Sequence, residues 1–317
     1  MKISLLVLIA WLALLSACGH SAVNSGWLGP GPTDVAVAAN GDVYITHTGF
    51  GEHPGRLVKL VGGKGPPVVV PTGLSYPEGV AVAANGDLYV SDANANRLVR
   101  LVGGGGPPVD LITGLHYPRR VAVGGNGDVY FTAEGTLWKL AGGAGLPTEI
   151  VTGLVHTVGV AMSGAGTVYV VGYVYGTEIS APYVAKLVGG AEPPVLIPAG
   201  LTQPGGIAVG PTGEVYVADS NTEYMTGRVL RLNGSNGVAT DVAIRLDLPR
   251  SVAVAGNGDV YIVDRTGLLK LDGFHAVARL RTVPAQDREP EQSRTVESDR
   301  VPEASLNGVG AGRGGSS

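Results

Sequence analysis

Pro77-Glu-Gly-Val-Ala-Val-Ala-Ala-Asn-Gly-Asp-Leu-Tyr-Val-Ser-Asp92 is the stretch on which the fold turns. Two apolar runs, Val80-Ala81-Val82 and Leu88-Tyr89-Val90, flank Asn85-Gly86. Asn-Gly supplies the positive φ that a tight hairpin needs, so these residues read as two antiparallel strands. The first run is apolar at every position instead of alternating, as expected for a strand covered on both faces. Its central Ala suits a crowded position.

The same pattern recurs along the chain. The triplets are Val35-Ala-Val37, Val80-Ala-Val82, Val121-Ala-Val123, Val160-Ala-Met162, Ile207-Ala-Val209 and Val252-Ala-Val254. The tyrosines that follow them are Tyr44, Tyr89, Tyr130, Tyr169, Tyr216 and Tyr261, at intervals of 45, 41, 39, 47 and 45 residues. Each unit continues with a strand ending in basic-Leu, such as Arg56–Leu60 or Arg97–Leu101, and then a Pro-flanked apolar run such as Val68–Val70. A period near 43 with about four strands per unit is the signature of propeller blades. The expected fold is all-β: a six-bladed β-propeller of four-stranded blades over residues 27–283, closed by a C-terminal strand at Ala276–Val283. Residues 284–317 hold charges, Pro and a Gly/Ser end, and are expected to be a disordered tail.

Composition agrees. Of 317 residues, 51 are Gly and 21 Pro, spread without a Gly-X-Y period, which excludes collagen and long-helix architectures. The net charge of −4 gives no electrostatic reason for a nucleic-acid partner.

The string from Pro77 to Asp92, followed by Asn96-Arg97, resembles the NHL repeat, and the spacing is similar to that of the extracytoplasmic sensor propeller of mycobacterial serine/threonine kinase D. This resemblance implies a sensor or binding propeller. Kinase activity is not implied, because His-Arg-Asp, Asp-Phe-Gly and a Gly-rich ATP loop are all missing.

Met1-Lys2, the apolar run Ile3–Leu15 and Leu15-Ser-Ala-Cys18 form a second, separate signal. The run is too short to span a bilayer and reads as the core of a signal peptide, residues 1–17. Leu15-Ser-Ala-Cys18 resembles the bacterial lipobox, which implies acylation of Cys18, with residues 18–26 as lipidated Cys and tether. Cys18 is the one Cys, so no disulfide forms and stability rests on packing. The expected location is the cell envelope, extracytoplasmic and held to the membrane by lipid.

In such a ring the fourth-to-first and second-to-third strand connections share one face, here called the top. Three long second-to-third connections are expected there: Thr46–Gly55 with Phe50 and His53, Val171–Pro182 with Tyr173 and Tyr175, and Ala218–Gly227 with Tyr224 and Met225. Arg119, Arg120 and Arg250 come from fourth-to-first loops around the channel. Long loops on a rigid scaffold, bearing Tyr, Met and Arg, are typical recognition surfaces. On the bottom, the turn acids Asp42, Asp87, Asp128, Glu214 and Asp259 should pair with the third-strand bases, and the Gly-Gly turns are expected to be flexible connectors.

Two functional classes follow. The first is a non-catalytic envelope lipoprotein that binds a protein, peptide or glycan on its top face, without a cofactor. The alternative is an enzyme. Gluconolactonase-like propellers imply a role for Asp34 and Glu78 as ligands of one divalent metal ion, and streptogramin B lyase propellers imply His156 or His116 as a base. No Gly-x-Ser-x-Gly is present and Cys18 is committed to the anchor, so a covalent nucleophile is not expected.

Overall fold

The computed structural model describes residues 31–49, 53–150, 153–154, 156–175, 180–190, 193–233, 238–272 and 275–280. The leader and Cys18, the tether, residues 27–30, Phe50 and the chain from 281 onward lie outside them.

The chain lays down six four-stranded antiparallel sheets, each from one continuous segment. They are β1 (Pro32–Val37), β2 (Val43–His47), β3 (Arg56–Leu60) and β4 (Pro67–Val70); β5 (Pro77–Val82), β6 (Leu88–Asp92), β7 (Arg97–Leu101) and β8 (Pro108–Thr113); β9 (Pro118–Val123), β10 (Val129–Ala133), β11 (Thr136–Leu140) and β12 (Thr148–Ile150). The second half comprises β13 (Thr157–Met162), β14 (Val168–Tyr175), β15 (Ser180–Leu187) and β16 (Val195–Ile197); β17 (Gln203–Val209), β18 (Val215–Asn221), β19 (Thr226–Asn233) and β20 (Val238–Leu246); and β21 (Ser251–Val254), β22 (Val260–Asp264), β23 (Gly267–Asp272) and β24 (His275–Leu280). The innermost strands pack in the cyclic order β1, β5, β9, β13, β17, β21 and back to β1, which makes a six-bladed propeller. The outermost strand of the last blade is β24, close to the expected Ala276–Val283.

The first and last blades meet by packing. Val35, Val43, Ile45, Val58 and Leu60 of blade one form a single buried cluster with Ala253, Ala255, Tyr261, Val263 and Leu268 of blade six. Fully burying one such aliphatic side chain contributes roughly 1.5–3 kcal/mol, so this seam is a substantial closure without strand exchange. Hydroxyls add directional contacts between blades: Thr46 Oγ1 donates to Glu78 O at 3.1 Å, Ser91 Oγ to Arg119 O, and Ser220 Oγ to Pro249 O at 2.8 Å.

The bottom face is more ordered than the sequence suggests. The expected pairs form between Asp42 and Lys59 at 2.7 Å, Asp128 and Lys139 at 2.8 Å, and Asp259 and Lys270 at 2.6 Å; Asp87 and Arg100 stand at 4.0 Å. The same acids also accept backbone N–H groups, Gly62 to Asp42, Gly103 to Asp87 and Gly142 to Asp128, each at 2.8 Å. Burial works against the Asp42 and Asp128 charges, but these hydrogen bonds outweigh it and hold both carboxyls below the usual range. The Gly-Gly segments are therefore fixed 3-10 turns, at Val61–Gly63, Val102–Gly104, Ala141–Gly143 and Val188–Gly190, and not the flexible connectors expected. Each second glycine lies against a tyrosine hydroxyl of the preceding blade. A Cβ on Gly104 would stand 2.6 Å from Tyr44 Oη, and one on Gly63 would stand 2.5 Å from Tyr261 Oη. The Tyr261 contact carries this bottom pattern across the seam.

Candidate functional site

Strand alternation sorts the top of the innermost strands into two layers. One position before each triplet stand Asp34, Gly79, Arg120, Gly159, Gly206 and Ser251. The glycines let neighbouring inner strands approach closely, since a Cβ on Gly159 would stand 2.8 Å from Gly205 O and one on Gly206 2.6 Å from Ser251 Cα, and Arg120 reaches into the axis. Its Nη1 donates to Thr33 O at 2.8 Å and to Glu78 O at 3.4 Å, and its Nη2 donates to Arg250 O at 2.9 Å. Nη1 also lies 3.2 Å from Asp34 Oδ1. One side chain from blade three thus ties together blades one, two and six. Arg120 is only 8% exposed, which corrects its expected place among ligand-facing residues at the mouth. A cavity of about 50 Å³ lies at this level, lined by Asp34, Arg120 and Ser251 with the first residue of every triplet, Val35, Val80, Val121, Val160, Ile207 and Val252.

Asp34 is buried too. Ser251 Oγ donates to Oδ1 and the Val80 N–H donates to Oδ2 at 2.9 Å. Burial pushes its pKa up in spite of the Arg120 charge and these hydrogen bonds. Glu78 is likewise buried and accepts from Arg119 Nη2 at 3.4 Å. The two carboxylates expected to form a metal site are instead spent on protein donors, and a guanidinium beside Asp34 opposes a dication. Among the described residues no three His, Cys, Asp or Glu side chains gather as a ligand set. The donor set does not fit a divalent metal ion.

The layer above holds Glu78, Arg119 and Arg250. Arg250 donates from Nη1 to Gly31 O at 3.3 Å. Desolvation lowers its pKa; Glu78 and Tyr76 counter this, and the nearby Arg120 and Arg265 charges add to it. Tyr76 and Tyr117 stand with ring centroids 6.4 Å apart beside Glu78. The repeat reading does not single these tyrosines out, although both occupy the residue before the proline of β5 and β9, as Tyr76-Pro77 and Tyr117-Pro118.

The remaining candidates lie away from this centre. His116 is exposed and faces Glu134 at 3.5 Å, and His156 is exposed with φ of 51°. Neither joins Asp34 and Glu78 in a ligand set. His53 is exposed in the blade-one connection. The long connections of blades four and five are not loops: β14 and β15 pair as far as Tyr175 with Ser180, and β18 and β19 as far as Asn221 with Thr226. The run Val170-Val-Gly-Tyr-Val-Tyr175 is rich in Val and Tyr, which favours strand over loop. Tyr173 therefore sits within a strand, opposite Pro182, and Tyr175 closes that strand. At the tip of the blade-five hairpin Tyr224 is 69% and Met225 47% exposed.

Asp92 and Asp219 belong to the framework. Asp92 accepts the Ser75 and Tyr76 N–H groups and Arg97, and Asp219 accepts those of Thr202 and Gln203 and Arg228.

The NHL repeat family matches this chain at residues 74–101 and 201–222. No curated protein matches. Among solved structures, a streptogramin B lyase is 16% identical with a TM-score of 0.54, covering 77% of this chain and 94% of its own. A nidogen/laminin complex is 16% identical at 0.59, covering 77% and 91%. A gluconolactonase from Xanthomonas campestris is 15% identical at 0.63, covering 76% and 86%. At these identities the likeness establishes the fold, which hosts both enzymes and binding proteins.

Proposed function

We propose that this NHL-repeat propeller is an exported lipoprotein, anchored through Cys18, that acts as a non-catalytic binding or sensor module for an envelope protein, peptide or glycan on its top face. The observation that carries this reading is the unequal top surface. The blade-four and blade-five hairpins run beyond the repeat and carry the half-buried Tyr173 and the exposed Tyr224 and Met225, while Arg120 occupies the axis. Exposed Tyr and Met on the short turn of a fully paired hairpin suit recognition with little ordering cost. Gly31 leads into β1 beside Arg250 at the mouth, which is where the segment that follows Cys18 joins the ring. The thirteen residue steps from Cys18 to Gly31 reach at most about 45 Å. The lactonase or lyase alternative gains no support from the site, because Asp34 and Glu78 are occupied by protein donors.

The test is capture of a partner from envelope extracts by the full-length protein. The Tyr173→Ala/Tyr224→Ala variant should lose at least about tenfold in capture, a factor worth about 1.4 kcal/mol, with an unchanged melting temperature. Capture indifferent to both tyrosines would overturn the reading.

A further inference from the structure

We infer that the channel mouth is a carboxylate-binding site, and that the ligand of the top face presents a free C-terminal carboxylate to Arg250 and Arg119. This rests on the reading above and names the chemistry of its ligand.

The first support is charge. Arg120 is matched by Asp34 inside the channel. Above it, Arg119 pairs with Glu78 at 3.4 Å and the neighbouring Arg265 with Asp247 at 3.1 Å, while among the described residues Arg250 has no carboxylate within ion-pair distance, so the mouth carries one surplus positive charge. The chain as a whole is acidic at −4, so this surplus is local.

The second is an under-used guanidinium. Arg250 is half-buried, and a guanidinium carries five N–H donors in a planar fork. Among the described residues its side chain makes one hydrogen bond, to Gly31 O at 3.3 Å. A half-buried cation with idle donors is matched by a planar anion able to accept two of them. Arg119 is 44% exposed and holds Glu78 by a single 3.4 Å contact, leaving donors on the solvent side.

The third is selectivity between anions. A carboxylate brings one negative charge, equal to the surplus. A phosphate carrying nearly two would face the buried Glu78, whose like charge disfavours it. Tyr76 and the partly exposed Tyr117 give the site an aromatic wall, suited to the last side chain of a peptide more than to a sugar ring bristling with hydroxyls.

The experiment titrates the full-length protein in detergent with N-acetyl-trialanine bearing a free carboxylate, its C-terminal amide, glucuronate and inorganic phosphate, each followed by calorimetry. The free acid should bind at least about tenfold more tightly than the amide, as expected for loss of a charge-assisted hydrogen-bonded pair. It should also outbind phosphate and glucuronate. Arg250→Gln should abolish the preference for acid over amide, Arg250→Lys should keep part of it, and Arg119→Gln should weaken it. Equal binding of acid and amide, tighter binding of phosphate or glucuronate, an unaltered preference in Arg250→Gln, or no binding of the acid at millimolar concentration would each overturn the inference. If the inference alone fails, partner capture still depends on Tyr173 and Tyr224; if the parent reading fails, capture ignores those tyrosines.

Discussion

The Arg120 guanidinium of the third blade lies 3.2 Å from the Asp34 carboxylate of the first, both almost wholly buried on the propeller axis. Removing one partner of a buried pair leaves the other uncompensated, which typically costs about 3–5 kcal/mol. Arg120→Met should therefore destabilise the protein by that amount in urea unfolding. Arg120→Met combined with Asp34→Asn should recover part of the loss, because no charge is then stranded. Simple additivity of the two single substitutions would show that the pair is not coupled.

His47 closes β2 at the position where Asp92, Asp219 and Asp264 occur in blades two, five and six. Burial, with the Arg56 charge nearby, lowers its pKa from 6.5 to about 3. The folded protein thus refuses a proton that the unfolded chain accepts. Stability from this residue is complete above about pH 6.5 and is lost progressively as pH falls toward 3. Between pH 7 and 5 the native protein should lose about 2 kcal/mol more than His47→Gln, following the limit of about 1.4 kcal/mol per pH unit for one proton. Parallel urea titrations of the two proteins at pH 7, 6 and 5 measure this. The depressed Asp42, Asp128 and Asp259 carboxyls act in a separate window: their contribution is present above the usual carboxylate range and is lost only as pH falls below it.

Gly104 combines φ of +76° with the Tyr44 hydroxyl at the place a Cβ would occupy. Gly104→Ala should cost about 2–3 kcal/mol, from left-handed backbone strain and displacement of Tyr44. The adjacent Gly105 corresponds to Lys64 of blade one, so this turn position accepts a side chain, and a Cβ there would meet nothing within 4 Å; Gly105→Ala should stay within about 0.5 kcal/mol. Thermal unfolding of both variants checks the contrast.

Addition of Ca²⁺, Mg²⁺, Mn²⁺ or Zn²⁺ should leave the melting temperature unchanged, because Asp34 and Glu78 are held by protein donors. A metal bound at 100 times its Kd would add about 2.7 kcal/mol, a shift of several degrees. Such a shift, absent in Asp34→Asn, would restore the enzyme alternative.

Much of the fold is legible in the chain. The Val-Ala-Val triplets, the Asn-Gly turns and the tyrosine spacing each report local strand geometry, and together they set the blade count and place β24 within three residues. The site is less legible. Arg119 and Arg120 are neighbours of one type, yet strand alternation sends one to the mouth and the other into the axis. Aligning the residue before each triplet exposes this: with one acid, one base, one Ser and three Gly at a single level of the ring, Arg120 is the one long side chain there and pairs with the one acid, Asp34. The hairpin extensions of blades four and five read as loops when the repeat alone is followed, because the repeat ends there, although their Val and Tyr favour strand. The order of the Gly-Gly turns depends on tyrosines about 60 residues away in sequence, such as Tyr44 and Gly104, which local patterns do not report.

The central claim, recognition on the top face, is tested most directly by photo-crosslinking in intact cells. A benzophenone side chain placed at position 224, at the tip of the blade-five hairpin, is compared with one at position 61, in the exposed bottom turn of blade one. The account predicts a discrete cross-linked partner from position 224 and none from position 61. Adducts from position 61 with none from 224 would contradict it.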